Sequence, residues 1–398
     1  MAVSRFLIAP IAATRSVLAL NGAEAPKFLQ GLVSSDIQSS TPANPVYAGF
    51  FSAQGRVLYD TFILPSSSLS GDHPHFLVDH SRAVNSTIPS LLAYIKRYIL
   101  RSKVRVKNAD DEYRLWAVFR HPLHVSNEAA DTAVEQELEQ LASSGRGHWW
   151  RDKRSAQLGY RLLLPPSSSS SVETSSFQSS LPTYHTLLRV LSNVPEVSSD
   201  LVPNQALPLE SNMDIMGGID FRKGCYIGQE LTARTYHTGV IRKRVMPIRL
   251  FPPLEVPPTR LLPPNWTSIS SVSEVPALKN GDIHPISSTS AEEGRPRRPR
   301  SAGRLGSILR VTGTRQEGGA EEQVFLGLAL LRLEATEGEL GLNFDEQSSE
   351  DVELSRAKEA GVNAAGGMVK EEGNFGSLET TKGDWRVKAF RNSLAGAI

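Results

Sequence analysis

The sequence predicts an α+β protein of two or three domains, with strands dominating its last part. Three observations carry that expectation. Strand-type alternation and one helical stripe are mixed within the first 110 residues, and a second such mixture runs on to about residue 245. Beyond Arg244, short strand-like pieces recur without any helical period. The expected domains are therefore 1–110, 111–245 and 246–398.

In the first domain, "SVLALNGAEAPKFLQGLVSSDI" reads as a strand, a turn at Asn21-Gly22 and a helix. From Val46 to Leu64 two apolar strands flank a tight turn at Gln54-Gly55, and Asp60 lies in the second of them. "HFLVD" is a further strand. Ile88, Leu91, Leu92, Ile95, Tyr98 and Ile99 then recur at helical spacing, which buries one face and leaves Lys96, Arg97 and Arg101 in water. "SKVRVKN" alternates as a strand. The N-terminal stretch from Met1 to Ala23 has Arg5 and Arg15 and no acid before Glu24, so it fits both a short mitochondrial presequence and a plain first strand.

The second domain opens at "EYRLWAVF" and includes "GYRLLLP" and a helix around "YHTLLRVLSNV". Between them, Ser167 to Ser180 is mostly serine and is expected to be a disordered surface loop, because it has little apolar surface to offset its ordering entropy. In the third domain "VMPIRLF", "LGSILRV", "VFLGLALLRL" and "DWRVKAF" suggest a small β-barrel or sandwich. Pro252 to Pro299 and Thr336 to Lys382 look like long insertions between its strands.

Composition narrows the function. With 43 basic and 42 acidic residues the net charge is +1, which argues against a protein that coats nucleic acid or anionic membrane. No apolar run approaches the ~20 residues of a spanning helix, so no membrane partner is expected. The basic run Arg295 to Arg304 has no aromatic neighbours and reads, with the acidic tract Asp345 to Glu372, as solvated loop. A single cysteine rules out an internal disulfide and favours a reducing compartment.

That cysteine, Cys225, lies in "FRKGCYIGQELTAR". Arg222 and Lys223 precede it, and a helix is expected after Gly228, so local positive charge and the helix dipole both favour the thiolate over a thiol of ordinary pKa, about 8.5. Gly224 and Gly228 keep the flanking backbone bare and allow positive φ. The setting describes a presented thiol better than a packed one, although free cysteines are among the most buried residue types. A lone thiol can be a nucleophile, a redox group, or one ligand of a metal or cluster completed from elsewhere. His237 lies twelve residues on, but no nucleophile signature supports a cysteine-histidine hydrolase. His73 and His75 read as turn residues rather than zinc ligands.

"KGCYIGQE", Lys223 to Glu230, with Arg234, Gly239 and "RKR" after it, closely resembles the signature of the YgfZ-type folate-binding proteins, relatives of the glycine-cleavage aminomethyltransferase. "LALNGAEAPKFLQGLVSSDI", "FFSAQGRVLYD" and "LPLESNMDIMGGIDFRKGC" agree with other family segments in the same order, with Glu24 where Asp is usual. Length and Ser/Pro-rich insertions are similar to the mitochondrial iron-sulfur assembly branch. The resemblance implies three domains around a central folate-sized cavity, the first two exchanging segments and the last a β-barrel. It also implies a matrix protein that works with A-type carrier proteins in making [4Fe-4S] clusters.

Under that resemblance Cys225 is the functional thiol and a transient cluster ligand shared with a partner, and Lys223, Gly224, Tyr226, Gly228, Gln229 and Glu230 shape its loop. Arg222 and Arg234 either steady the cluster's negative charge or pair with Asp220 and Glu230 in solvent. Tetrahydrofolate is the second implied ligand. Asp60 and Glu210 are then the candidate carboxylates for the pterin, and Arg242, Lys243 and Arg244 the cations for the glutamate tail. Aminomethyltransferases carry an adjacent acid pair where this chain has Tyr59-Asp60, which puts one-carbon transfer in doubt. Three roles remain: assembly factor, folate-dependent transferase, or folate-binding scaffold.

Overall fold

The computed structural model describes residues 6–66, 75–82, 88–123, 128–145, 147–168, 172–197, 199–252, 255–279, 281–285, 301–337, 340–342 and 385–390. Of the expected loops Arg295 to Arg304 and Asp345 to Glu372, residues 295–300 and 345–372 lie outside them, and the end of the basic run is not loop: Gly303 and Arg304 are paired strand residues of the third sheet. β1 (Phe6–Pro10) and β2 (Arg15–Asn21) follow one another in sequence but enter different sheets. Both are apolar and buried, so the chain from Phe6 onward is part of the folded core.

The first sheet adds β3 (Val46–Phe51), β4 (Val57–Pro65), β5 (His75–Ser81) and β6 (Arg105–Asn108) to β2, in the order β3-β4-β5-β2-β6. His75, expected in a turn, opens β5, where it pairs with Asn21. α1 (Ala25–Gln30) carries Pro26 in its first turn, where the missing N–H costs no intrahelical bond. α2 (Leu91–Ile99) is capped by the Ser90 hydroxyl, which accepts the Ala93 N–H at 3.2 Å. Its Leu91, Tyr94 and Ile95 bury against Phe50, Tyr59 and Ile63, covering one face of the sheet.

The second sheet joins β1 to β7 (Arg114–Arg120), β8 (His148–Arg151), β9 (Tyr160–Leu164) and β10 (Gln178–Ser179), in the order β10-β1-β7-β9-β8. α3 (Glu128–Gly145) covers its outer face through Val134, Leu138 and Leu141. The serine tract departs from expectation. Val172 and Phe177 are buried under the sheet, and Gln178–Ser179 pairs parallel with β1. Two apolar anchors suffice to hold its described part in place.

The opposite faces of the two sheets meet with α4 (Pro182–Leu191) in one large core. β11 (Lys243–Phe251), β12 (Trp266–Glu274), β13 (Asp282–Pro285), β14 (Gly303–Arg315), β15 (Glu321–Arg332), β16 (Leu340–Leu342) and β17 (Trp385–Ala389) form the third sheet. Its pairings run β14-β13-β16-β17-β11-β15 and return to β14, so six strands close on themselves and β12 adds to the outside of β14. Closure pairs both edges of the six ring strands, while β12 is paired on one side through β14. Met246, Ile248, Leu250, Ile308 and Leu331 fill the inside, while Leu309, Val311 and Leu326, one residue out of phase, pack on the central core. The expected insertions are not strand-free: β12 and β13 lie within 252–299 and β16 within 336–382.

Candidate functional site

Cys225 is exposed, on a loop that leads into α5 (Gln229–Thr238). The loop is fixed on two sides. On one side the Lys223 Nζ donates to the carbonyls of Gln30 at 2.7 Å, Val33 at 2.6 Å and Ser35 at 3.1 Å. An ammonium has three N–H donors, and all three are placed. The Ile227 N–H adds a bond to the Gly31 carbonyl, and the Asp220 N–H one to Ser34. Lys223 therefore ties the loop to the end of α1, and its charge is spent on carbonyls, not on the neighbouring sulfur as the sequence suggested. Burial pushes its pKa down to about 8, against the opposing pull of Asp36 and Asp220.

On the other side the loop lies against the β3–β4 turn. Gly228 has φ +79°, and a Cβ there would sit 2.2 Å from the Ser52 carbonyl oxygen. Tyr226 packs its ring on Phe51, centroids 6.0 Å apart, and under the Lys223 ammonium at 5.1 Å. Its N–H donates to the Gln229 Oε1 at 3.1 Å, which closes the loop onto the helix start. Glu230 is in the first turn of α5, where the helix dipole favours an acid. Gly224 differs from Gly228: it is not among the positive-φ glycines, and a Cβ would meet nothing within 4 Å. Space, not backbone conformation, is what it leaves beside the sulfur. Arg222 and Arg234 are exposed, and the Arg222 N–H donates to Asp220 Oδ1 at 2.7 Å.

Of the expected folate residues, Glu210 and Lys243 lie near each other, while Asp60 is sealed in the core. Alternation along β4 turns Asp60, with Phe62 and Leu64, toward the central core. There it is 1% exposed, bonded to Arg15 Nη1 through one oxygen and to the Val197 N–H at 3.0 Å through the other. It belongs to a sealed ionic cluster. Arg15 reaches Asp79 at 2.7 Å, and Arg161 joins Asp79 at 2.7 Å, Asp152 at 3.0 Å and Glu196 at 3.1 Å. Arg154 pairs with Asp152 and Glu196, both at 2.8 Å, and Arg189 with Asp200 at 2.7 Å. Burial opposes the charge on Glu196, but Arg189, Arg154, Arg15 and Arg161 outweigh it and hold its pKa well below the carboxylate range.

Glu210 is half-buried elsewhere, its pKa raised by burial and drawn back by Lys243, Arg56 and Arg332. Arg244 is committed to Asp214, at 2.9 and 2.7 Å, and to the Leu209 carbonyl. Arg242 is exposed. A pterin needs a carboxylate that it can reach, and Asp60, enclosed in the ionic cluster, is closed to a ligand. A cavity of about 190 Å³, lined by Arg249, Phe251, Glu255 and Arg260, touches none of them. Among the described residues no group of three or more His, Cys, Asp and Glu can hold a metal ion, and no helix is long and apolar enough to cross a membrane.

The sequence reading missed Arg15, Asp79, Arg154, Arg161 and Glu196. For Asp79 and Arg161 the signal was a charge inside an otherwise apolar strand, as in "FLVDH" and "GYRLLLP"; Arg154 and Glu196 lie outside strands and carried none.

No family model matches the chain. It is 34% identical over 356 residues to "Iron-sulfur cluster assembly factor IBA57 homolog, mitochondrial" of Cryptococcus neoformans var. neoformans serotype D, covering 82% of this chain and 83% of the relative. The chain belongs to the IBA57 family. The IBA57 homolog of Mycosarcoma maydis is 35% identical over 338 residues, 80% of this chain and 72% of the relative. That of Coccidioides immitis is 39% identical over 250 residues, 60% of this chain and 55% of the relative. Among solved structures, aminomethyltransferase T of the glycine cleavage system from Bartonella henselae superposes with a TM-score of 0.55 at 12% identity, covering 85% of this chain and 82% of that one. The chain thus shares the aminomethyltransferase fold.

Proposed function

We propose that this member of a family of mitochondrial iron-sulfur cluster assembly factors acts in the matrix, with Cys225 supplying one thiolate to a cluster held jointly with an A-type carrier protein. The observation that carries this is the contrast between the sulfur and its surroundings: Cys225 is exposed, while Lys223 and Gly228 pin the loop on either side of it. A held, accessible thiol can be offered to a partner without first being ordered, which lowers the entropic cost of forming a shared site. One thiolate cannot retain a cluster alone, so the remaining ligands come from the carrier. On binding, the Cys225 thiol would release its proton to solvent and its sulfur would take the iron position of one departing ligand, leaving the coordination number unchanged. Recipients of the finished [4Fe-4S] clusters belong to the same proposal. No one-carbon step is assigned, because Asp60 is committed to Arg15 and Val197.

The test is to mix the purified chain with a [2Fe-2S]-loaded A-type carrier and record absorption, Mössbauer spectra and complex mass for wild type and Cys225→Ser. A cluster-bearing complex in the wild type alone supports the assignment. Identical spectra and masses in both exclude Cys225 as a ligand.

A further inference from the structure

The cysteine loop begins at Phe221, which packs against the central core and carries Tyr236 of α5 stacked on its ring. The centroids are 3.7 Å apart and the planes 15° from parallel. Tyr236 is nevertheless 53% exposed, and His237 meets its ring edge-on at 5.3 Å. Ile215, before the loop, is 51% exposed, and Val240, just after α5, is 77% exposed. The chain segments flanking the thiol thus display apolar side chains that water solvates poorly.

Resting on the assignment of Cys225 as a shared ligand, we infer that the Phe221–Tyr236 stack is the docking anchor for the cluster-carrying partner, a protein that presents a thiolate-ligated cluster within an apolar rim. Two arguments favour this occupant. An aromatic ring already stacked on a core-packed neighbour loses little rotamer freedom on association, and such rigid rings are the typical energetic centres of interfaces. The charges also match. Arg222 and Arg234 are exposed on the same segments, and with Lys223 they outnumber Asp220 and Glu230, so residues 220–234 carry a net charge of +1. A cluster held by four thiolates is anionic and meets these two arginines favourably. Gly224, with open space where a side chain would be, lets the partner's backbone approach the sulfur.

The experiment is calorimetric titration of the full chain with a [2Fe-2S]-loaded carrier, together with visible circular dichroism of each complex at saturation. Tyr236→Ala is expected to weaken binding about tenfold or more, in the range of an interface centre. Tyr236→Phe, which keeps the stacked ring, should bind like wild type, and both variants should retain the wild-type cluster spectrum. Tyr236→Glu, which adds negative charge, should bind more weakly than Tyr236→Ala. Melting curves report folding, and Phe221→Leu gives a second route to an unstacked ring should Tyr236→Ala melt early. Unchanged affinity in Tyr236→Ala overturns the docking proposal whatever Cys225→Ser does. An unchanged cluster spectrum in Cys225→Ser overturns the ligand assignment instead, and the Tyr236 affinities then decide docking by themselves.

Discussion

Gly228 and Gly55 face each other across the contact between the cysteine loop and the β3–β4 turn, and neither has room for a side chain. Both have positive φ, +79° and +75°. A Cβ on Gly228 would lie 3.1 Å from the Gly55 Cα, and one on Gly55 would lie 2.8 Å from the Gly228 carbonyl oxygen. The thiol is carried by a backbone-to-backbone contact.

Gly228→Ala is therefore expected to lower stability by about 1 kcal/mol or more, combining left-handed strain with the clash on Ser52. It should also lose the cluster-bearing complex. Gly224→Ala meets open space and should unfold within about 0.5 kcal/mol of wild type. Urea titration of the two variants checks the contrast, and equal losses would contradict it.

Lys223→Met removes the donor shared by three carbonyls. The segment Gln30–Ser35 then keeps acceptors that only water can satisfy, at a cost of about 1–3 kcal/mol. Hydrogen exchange should rise locally, at Ile227 and Asp220, whose N–H groups bond Gly31 and Ser34. Protection unchanged at both amides would show that the clamp is not what holds the loop.

Arg161→Met leaves Asp79, Asp152 and Glu196 short of one shared cation in a dry site. Removing one partner from such a cluster costs about 3–5 kcal/mol. Arg332→Met, at the surface beside Glu334, is the control and should cost less than about 1 kcal/mol. Chemical denaturation of both gives the comparison.

Acid should weaken the fold through His80. Burial pushes its pKa down to about 4, from an ordinary 6.5, so the folded state stays neutral where the unfolded chain takes a proton. The unfolded state then binds more protons between about pH 6.5 and 4, and stability falls as pH falls through that window, levelling below it. His185, pushed down to about 3 by burial, acts in the same direction. His80→Gln cannot titrate and should flatten the pH dependence of unfolding free energy between pH 6.5 and 4. An unaltered slope would show that His80 contributes nothing to acid stability.

Much of this was legible in the residues. Apolar runs gave β2 and β4, the turn at Gln54-Gly55 gave the hairpin, and the spacing of Leu91 and Ile95 gave α2, because each pattern reports burial directly. Cys225 stood out by its glycines and charges. What stayed hidden depends on contacts between distant segments. The partners of Lys223 are carbonyls some 190 residues earlier, and carbonyls carry no sequence signature. Asp60 read as a ligand-facing acid because a strand shows which face a residue shares but not what lies opposite. α3 was missed because Val134, Leu138 and Leu141 are sparse within a polar run, and Val172 and Phe177 were outvoted by serines.

The closed circuit of the third sheet ties its assembly to the order of synthesis. β11 pairs on one side with β15 and on the other with β17, and β17 follows β16 only after the long segment 343–384. During translation, β11 to β16 can emerge from the ribosome and still expose two unpaired strand flanks, on β11 and on β16. Only when Trp385–Ala389 arrives can the ring shut, so a chain that stops short of it is left with adhesive edges that invite chaperones or proteases.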